Sequence, residues 1–267
     1  MRRRAVLAGL MAAPFVITRA KAGNFQPGLG GGARRFGTIF FPPDGGARYQ
    51  NAEIPLGLTD TKVGILSGWM QVSNVGPSGN RFYSNSSSRV VFSITSGGVL
   101  QVLAQNSGAS TILNITTATT KVSDGKMHHF AAMWDLATPG SGGIFIDGVS
   151  DYVETTFTDD SIDYTGDDYA IGRNNSSTRG PRGFLGELYI NTDEYIDLSI
   201  AANLQRFRLP SGRPRDLHHD GSFPTGTAPR FYFANHNYIL FGVNRGSARG
   251  RLNVRNTGIT TGRTLPF

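Results

Sequence analysis

Apolar residues along this chain fall at every second position within short runs, and the runs are punctuated by glycine, proline, asparagine and serine. A period of two places alternate side chains on opposite faces of an extended strand, so the runs predict strands and the punctuation predicts turns. On this reading strands cover residues 37–41, 47–54, 63–72, 81–83, 88–95, 99–105 and 111–116, with turns at 42–46, 76–79 and 96–98. The chain is organised around residues 124–149, where runs at 127–134 and 143–146 form one long antiparallel hairpin through a Gly- and Pro-containing loop. Asp147-Gly148 then closes the second run as an Asp-Gly pair, which suits a type I′ turn because both central residues there need positive φ. Phe130, Ala132, Trp134 and Phe145, with Met127, are the expected core face of this hairpin. Runs at 152–157, 169–171 and 184–191 continue the series, and 230–233, 238–243 and 251–254 are expected to close it. Only residues 196–207 space their apolar positions helically, enough for one or two turns.

Composition narrows the architecture. With 35 glycines and 13 prolines among aromatic and β-branched runs, the chain predicts an all-β sandwich or barrel, and its 267 residues can bury a large core without cross-links. Cysteine is absent, which excludes disulfides, thiolate metal sites, a lipoprotein anchor and cysteine nucleophiles. The formal charge of +7 divides into +5 for residues 1–22, −6 for 23–202 and +8 for 203–267. An acidic body carries an arginine-rich end.

Residues 1–22 have the make-up of an export signal. Arg2, Arg3 and Arg4 precede an apolar stretch over 5–17, and Ala20-Lys21-Ala22 offers a cleavage site. Arg3 to Leu7 fits the twin-arginine pattern. The apolar stretch is shorter than the roughly 20 residues of a membrane span, and no other stretch is suited to crossing. Residues 23–35 read as a Gly-rich linker; with no strand before it and no helix after it, its glycine spacing is not a nucleotide loop.

Four segments in order carry a family likeness: Ser67-Gly-Trp-Met-Gln-Val72, Asp124-Gly-Lys-Met-His-His-Phe-Ala131, Ile144-Phe-Ile-Asp-Gly148, and Tyr169-Ala-Ile-Gly172 followed by Gly183-Phe-Leu-Gly-Glu-Leu-Tyr-Ile190. They resemble the early strand, the D-G-x-W-H-H-V-A motif, the x-Y-V-D-G hairpin and the closing strands of the laminin-G-like, concanavalin A-like lectin/glucanase jelly rolls, with Met127 where that family usually has Trp. The resemblance covers about residues 37–191. It implies an all-β antiparallel sandwich over 36–202 with a short helix, and an irregular arginine-rich extension over 203–267 that packs on the sandwich or completes it. Segments at 196–199, 203–207, 212–217 and 220–229 are similar to the tail that follows this jelly roll in phage and prophage structural proteins.

Candidate chemistry is sparse. Glycosidases of this fold set paired carboxylates on alternate strand positions so that acid and nucleophile flank one bond. Nothing here matches: Glu187 is followed at the next same-face position by Tyr189, and Asp193 and Glu194 are adjacent. No G-x-S-x-G or H-E-x-x-H occurs either, so no catalytic residue is assigned. His128-His129 opens a core strand, where buried, hydrogen-bonded histidines are the ordinary case. His218-His219-Asp220 has no third ligand nearby in sequence and reads as a loop. The acidic stretch with Asp159, Asp160, Asp163, Asp167 and Asp168 has two readings, a solvated turn or the calcium site that laminin-G-like domains often hold at the sandwich rim. The ten arginines after residue 203, interleaved with Phe231, Tyr232, Phe233 and Tyr238, suit contact with the acidic body or a neighbouring subunit better than nucleic acid.

The expectation is a non-catalytic, lectin-like module that is exported (periplasm or outside the cell) or displayed on a particle, with a glycan or cell-surface polysaccharide as partner. Tyr83, Tyr152, Tyr164 and Tyr169 are its candidate stacking platforms, and Asn174 and Asn175 its candidate hydroxyl ligands. The alternative is a phage or prophage virion structural protein that docks or self-assembles through the arginine-rich end; a third reading is a glycoside hydrolase without a recognisable carboxylate motif.

Overall fold

The computed structural model describes residues 36–41, 48–50, 57–73, 75–76, 79–85, 88–165, 169–172, 182–235, 237–248, 250–255 and 259–264. Two antiparallel sheets account for all its strands. The first follows the order β10 (Val149–Ser150), β9 (Gly143–Ile146), β8 (Met127–Asp135), β3 (Val63–Val72), β13 (Gly183–Asn191), β1 (Gly37–Phe41) and β16 (Thr260–Thr264), with β14 (Phe231–Phe233) also paired to β13. The second runs β11 (Val153–Phe157), β7 (Thr111–Thr116), β6 (Leu100–Gln105), β5 (Val90–Ile94), β4 (Asn80–Asn85), β12 (Tyr169–Ile171), β2 (Arg48–Gln50) and β15 (Asn253–Arg255). The last three strands of the chain thus join both sheets, so the arginine-rich end is woven into the sandwich.

The main core lies between the sheets and includes Leu66, Met70, Phe130, Ala132, Trp134 and Leu188 from the first, and Phe82, Tyr83, Phe92, Val102, Ile115 and Tyr169 from the second. The outer face of the second sheet carries polar side chains that cross-link: Ser93 donates to Gln101 at 3.3 Å, and Gln101 donates to Asn114 at 2.9 Å. The central strands of the first sheet, β3, β8 and β13, are buried on both faces. Ile65, Ala131, Met133, Phe145 and Tyr189 point away from the main core and meet Leu198, Leu204, Phe207 and Leu217 of the returning chain in a second apolar cluster. Phe145 therefore does not share the face of Phe130 and Trp134. It pairs with Ala131, whereas Ile144 pairs with Ala132 and Ile146 with Phe130, so the isoleucines fill the main core.

One other expectation changes. The 238–243 run is not a strand; Tyr238–Phe241 is a single helical turn (α2), because the Asn237 side chain accepts from the Ile239 N–H at 2.9 Å and caps it. The helical spacing of 196–207 yields one turn, α1 (Ala201–Leu204), placed so that Leu204 is buried. Glu187 sits at a bulge where β13 slips against β3 between Gly186 and Tyr189. Its φ of 48° is in the left-handed region, and its buried carboxylate accepts the Tyr232 hydroxyl. That carboxylate is committed to tying β13 to β14.

Gly64 is a tight point of the main core: a Cβ there would lie 2.2 Å from the Trp134 ring. Gly64→Ala is expected to destabilise the protein by about 1–3 kcal/mol, the usual cost of overpacking. Gly97→Ala, whose Cβ would meet nothing nearer than 3.6 Å, should be close to neutral in the same urea-denaturation measurement.

Candidate functional site

The first sheet ends in a hairpin held by charge. The His128 ring bridges Asp147 (Nδ1 to Oδ2, 2.7 Å) and Asp124 (Nε2 to Oδ1, 2.9 Å), and the His129 N–H donates to Asp147 Oδ1 at 3.0 Å. The hydrogen bond with Asp147, opposed by burial and aided by Asp124, raises His128 above its ordinary pKa. Burial pushes the two carboxyls up, but hydrogen bonds from His128 and backbone N–H groups outweigh it and hold both low. His129 is fully buried against Trp69, with ring centroids 5.0 Å apart, and contacts Ser67 Oγ at 3.0 Å; burial drives its pKa down to about 3, so it is neutral and structural. Asp147 (φ 52°) and Gly148 (φ 89°) then supply the positive φ of the turn.

The chain leaves this turn through β10 into Asp151, whose carboxylate accepts the N–H groups of Ala118, Thr119 and Thr120 at 3.1, 2.9 and 2.7 Å. This clamp fixes the backbone next to Tyr152, which is 38% exposed. Across from Tyr152 runs the segment that covers the outer face of the first sheet, anchored where the Leu198 N–H meets the Met133 sulfur at 2.9 Å. Between the hairpin and this segment lies a cleft of about 310 Å³ lined by Tyr152, Tyr195, Asp197 and the hydroxyls of Thr138, Ser141, Ser150 and Ser199, over Met133 and Phe145. An adjoining cleft of about 290 Å³ shares Phe145, Ser150 and Ser199 and adds Leu204, Gln205 and Arg208. Together they form one groove along the hairpin edge.

The walls are set by local hydrogen bonds. Ser141 Oγ sits 2.7 and 2.6 Å from the carbonyls of Asp135 and Thr138, fixing the 138–142 loop. Asp197 accepts from the Ser199 N–H and hydroxyl at 2.9 and 2.5 Å. Burial, then the charges of Asp197 and Asp135 and the nearby Tyr152, raise the Tyr195 hydroxyl pKa, so the ring is a neutral donor with an apolar face. Such a surface, aromatic faces beside hydroxyls and a carboxylate, suits a ligand that alternates C–H patches with hydroxyl groups.

Of the tyrosines singled out from sequence, only Tyr152 lines the groove. Tyr83, Tyr164 and Tyr169 are each 1% exposed and belong to the main core, which corrects their reading as platforms: a fully packed ring offers no face to a ligand. Tyr83 stacks on Phe92 at 5.0 Å, and the Tyr164 hydroxyl accepts from the Trp134 indole at 3.3 Å. Alternating aromatic residues signal a buried strand face as readily as a binding face, and here the core took them. Asn174 and Asn175 lie outside the described residues.

The acidic stretch is engaged within the chain. Asp159 pairs with Lys62 at 2.7 Å, Asp160 accepts from Asn106 at 2.7 Å, and Asp163 lies 3.6 Å from Arg89 and caps Thr165. Asp167 and Asp168 lie outside the described residues, and among those described no three acidic or histidine side chains group to hold a metal ion. Several of the arginines are engaged in the same way. Arg230 pairs with Asp193 at 2.5 Å, Arg206 donates to the Pro224 carbonyl at 2.7 Å, and Arg215 stacks over Phe223 at 4.8 Å. Sequence reasoning passed over Tyr195, Asp197 and Ser199, although their strict alternation after β13 was a strand-like signal in a segment judged for helical period.

The fold is a two-sheet jelly roll with a polar–aromatic groove at one sheet edge. The family described as the concanavalin A-like lectin/glucanases superfamily matches residues 44–195, and the chain belongs to it. Its fold is similar to that of a putative carbohydrate binding protein from Bacteroides ovatus at 16% identity and a TM-score of 0.56, over 85% of this chain and 60% of that one. A SAP-like pentraxin from Limulus polyphemus is 16% identical with a TM-score of 0.46, over 64% of this chain and 82% of the pentraxin. No curated protein sequence matches. Among the described residues no helix is long and apolar enough to cross a membrane.

Asp151 provides a check on the clamp beside Tyr152. Burial raises its pKa, but hydrogen bonds from Thr120 and Thr119 outweigh this and leave it lowered, so its stabilisation is present above the ordinary carboxylate pKa of 3.8 and lost as pH falls through the lower folded value. Asp151→Asn is expected to cost about 1.5–3 kcal/mol at pH 7 in urea denaturation, the range for hydrogen bonds to a charged group, and the gap should narrow towards pH 2.

Proposed function

We propose that this chain is a non-catalytic, lectin-like module that binds a glycan chain in the groove between the 138–152 hairpin region and the 195–210 segment. The observation that carries this reading is the meeting of Tyr152 and Tyr195 with Asp197 and four hydroxyl side chains along one open cleft. A sugar ring presents an apolar C–H face to an aromatic ring and an equatorial belt of hydroxyls to polar groups, and this wall offers both. The membership of the chain in a lectin and glucanase superfamily, and the description of its Bacteroides neighbour as a putative carbohydrate binding protein, support the same class of ligand.

The carboxylates support binding without hydrolysis. Hydrolysis needs two flanking one bond, about 5–10 Å apart. Asp197 is the one carboxylate among the described residues lining the groove, and its Oδ1 already accepts from the Ser199 N–H and hydroxyl. The leader-like residues 1–22 support delivery outside the cytoplasm, for which a mature chain beginning at Gly23 in the periplasm or medium is the expected mass-spectrometric result.

On a glycan array the purified protein is expected to retain a subset of oligosaccharides. Tyr152→Ala should weaken that binding about tenfold, equivalent to about 1.4 kcal/mol of lost stacking, with an unchanged melting temperature. No retention on the array, or wild-type affinity in the variant, would reject the reading.

A further inference from the structure

Among the described arginines after residue 203, Arg208 combines a buried Nε with the lack of any ion pair. It lines the inner part of the groove, yet no described carboxylate lies within ion-pair distance and no side-chain hydrogen bond holds its guanidinium. Its Nε is buried without a partner. The two outer nitrogens are cradled by glycines: a Cβ on Gly148 would come within 3.1 Å of Nη1, and one on Gly212 within 3.1 Å of Nη2. Any larger residue at either position would crowd the cation. The nearest charged and titratable groups are already engaged: Asp147, whose carboxyl feels the Arg208 charge, is bound by His128 and the His129 N–H, and His129 is neutral in the protein interior. A partly desolvated guanidinium with no carboxylate in direct contact is costly, and a planar fork of donors is the natural receptor for an oxyanion.

We infer that Arg208 is the anionic subsite of the groove, so that the glycan it takes is acidic: one bearing a carboxylate or sulfate group that pairs with the guanidinium while a neighbouring ring rests against Tyr152. This inference rests on the glycan-binding reading and sharpens it. Gln205, exposed on the same wall, is placed to reach the same group, and Gly148 and Gly212 keep the approach open. Carboxylate and sulfate present the same oxyanion edge, and the test separates them.

The experiment compares matched polymers by calorimetry: polygalacturonate oligomers against their methyl esters, and dextran sulfate against dextran. Wild-type protein is expected to prefer at least one acidic member over its neutral partner by tenfold or more, with affinity falling as NaCl rises from 50 to 500 mM. Which acidic polymer shows the preference assigns the group as carboxylate or sulfate. Arg208→Gln should bring the acidic and neutral forms within twofold and abolish the salt dependence. Gln205→Glu, a change at an exposed position that leaves Arg208 in place, should also lower the preference by placing a competing carboxylate beside the cation. Equal affinity for both acidic–neutral pairs in the wild type, or an acidic preference that survives Arg208→Gln, overturns the inference. Retention of neutral glycans on the array with no acidic preference overturns it while leaving the glycan reading standing; absence of all glycan binding ends both.

Discussion

The central strands of the first sheet, β3, β8 and β13, have no solvent face, and most of the molecule follows from that constraint. Strands β3, β8 and β13 read as near-continuous apolar or small residues because both of their faces are packed. The inward face is covered by the second sheet, as in any sandwich. The outward face, with Ile65, Ala131, Met133, Phe145 and Tyr189, needs a separate cover, and the chain provides one by returning across it after β13. Had the sheet alternated apolar and polar residues as the second one does, residues 195–229 would have had nothing to bury and the groove would have lost a wall.

The groove is thus a by-product of an unavoidable packing step, and its two sides answer to different demands. The hairpin side is fixed by backbone geometry and by charge: the His128 ring joins Asp124 and Asp147, residues 23 positions apart in sequence, and so ties the loop before β8 to the turn after β9. The covering side is fixed by leucine and phenylalanine side chains with Tyr195 packed against them, while Asp197, Ser199 and Gln205 face the groove. The family match ends at residue 195, so the hairpin wall lies inside the region shared with relatives and the covering wall lies largely beyond it.

The strand pattern was legible because period two is a direct consequence of the pleat, and the Asp-Gly turn was legible because few residue pairs accept positive φ twice. What misled was the assumption that aromatic residues on one hairpin share one face. Phe145 lies between Ile144 and Ile146, and only pairing register tells which set faces the main core. Tyr83, Tyr164 and Tyr169 failed as platforms for a related reason: a tyrosine whose hydroxyl finds a partner or a tight pocket can be buried whole, and sequence does not show the pocket. The helical turn at Tyr238–Phe241 hung on one capping side chain, Asn237, set against a run of apolar residues that reads equally well as a strand. The covering wall was obscured because its residues serve two neighbours, alternating towards the sheet and towards solvent over too few positions to declare a period.

The strand order has a consequence for how such a module can be attached to anything else. The groove sits at the β9–β10 edge of the first sheet, whereas β1 and β16, the first and last strands of the described chain, lie side by side at the opposite edge. Six inter-strand steps of about 4.8 Å separate the two edges, on the order of 30 Å. A tether joined before β1 or after β16 therefore leaves from the rear of the molecule and turns the groove outward, like a palm held at arm's length. Two tethers, one at each end, would leave from neighbouring points, so the sandwich is laid out to be carried as an insert within a longer chain as readily as at its tip.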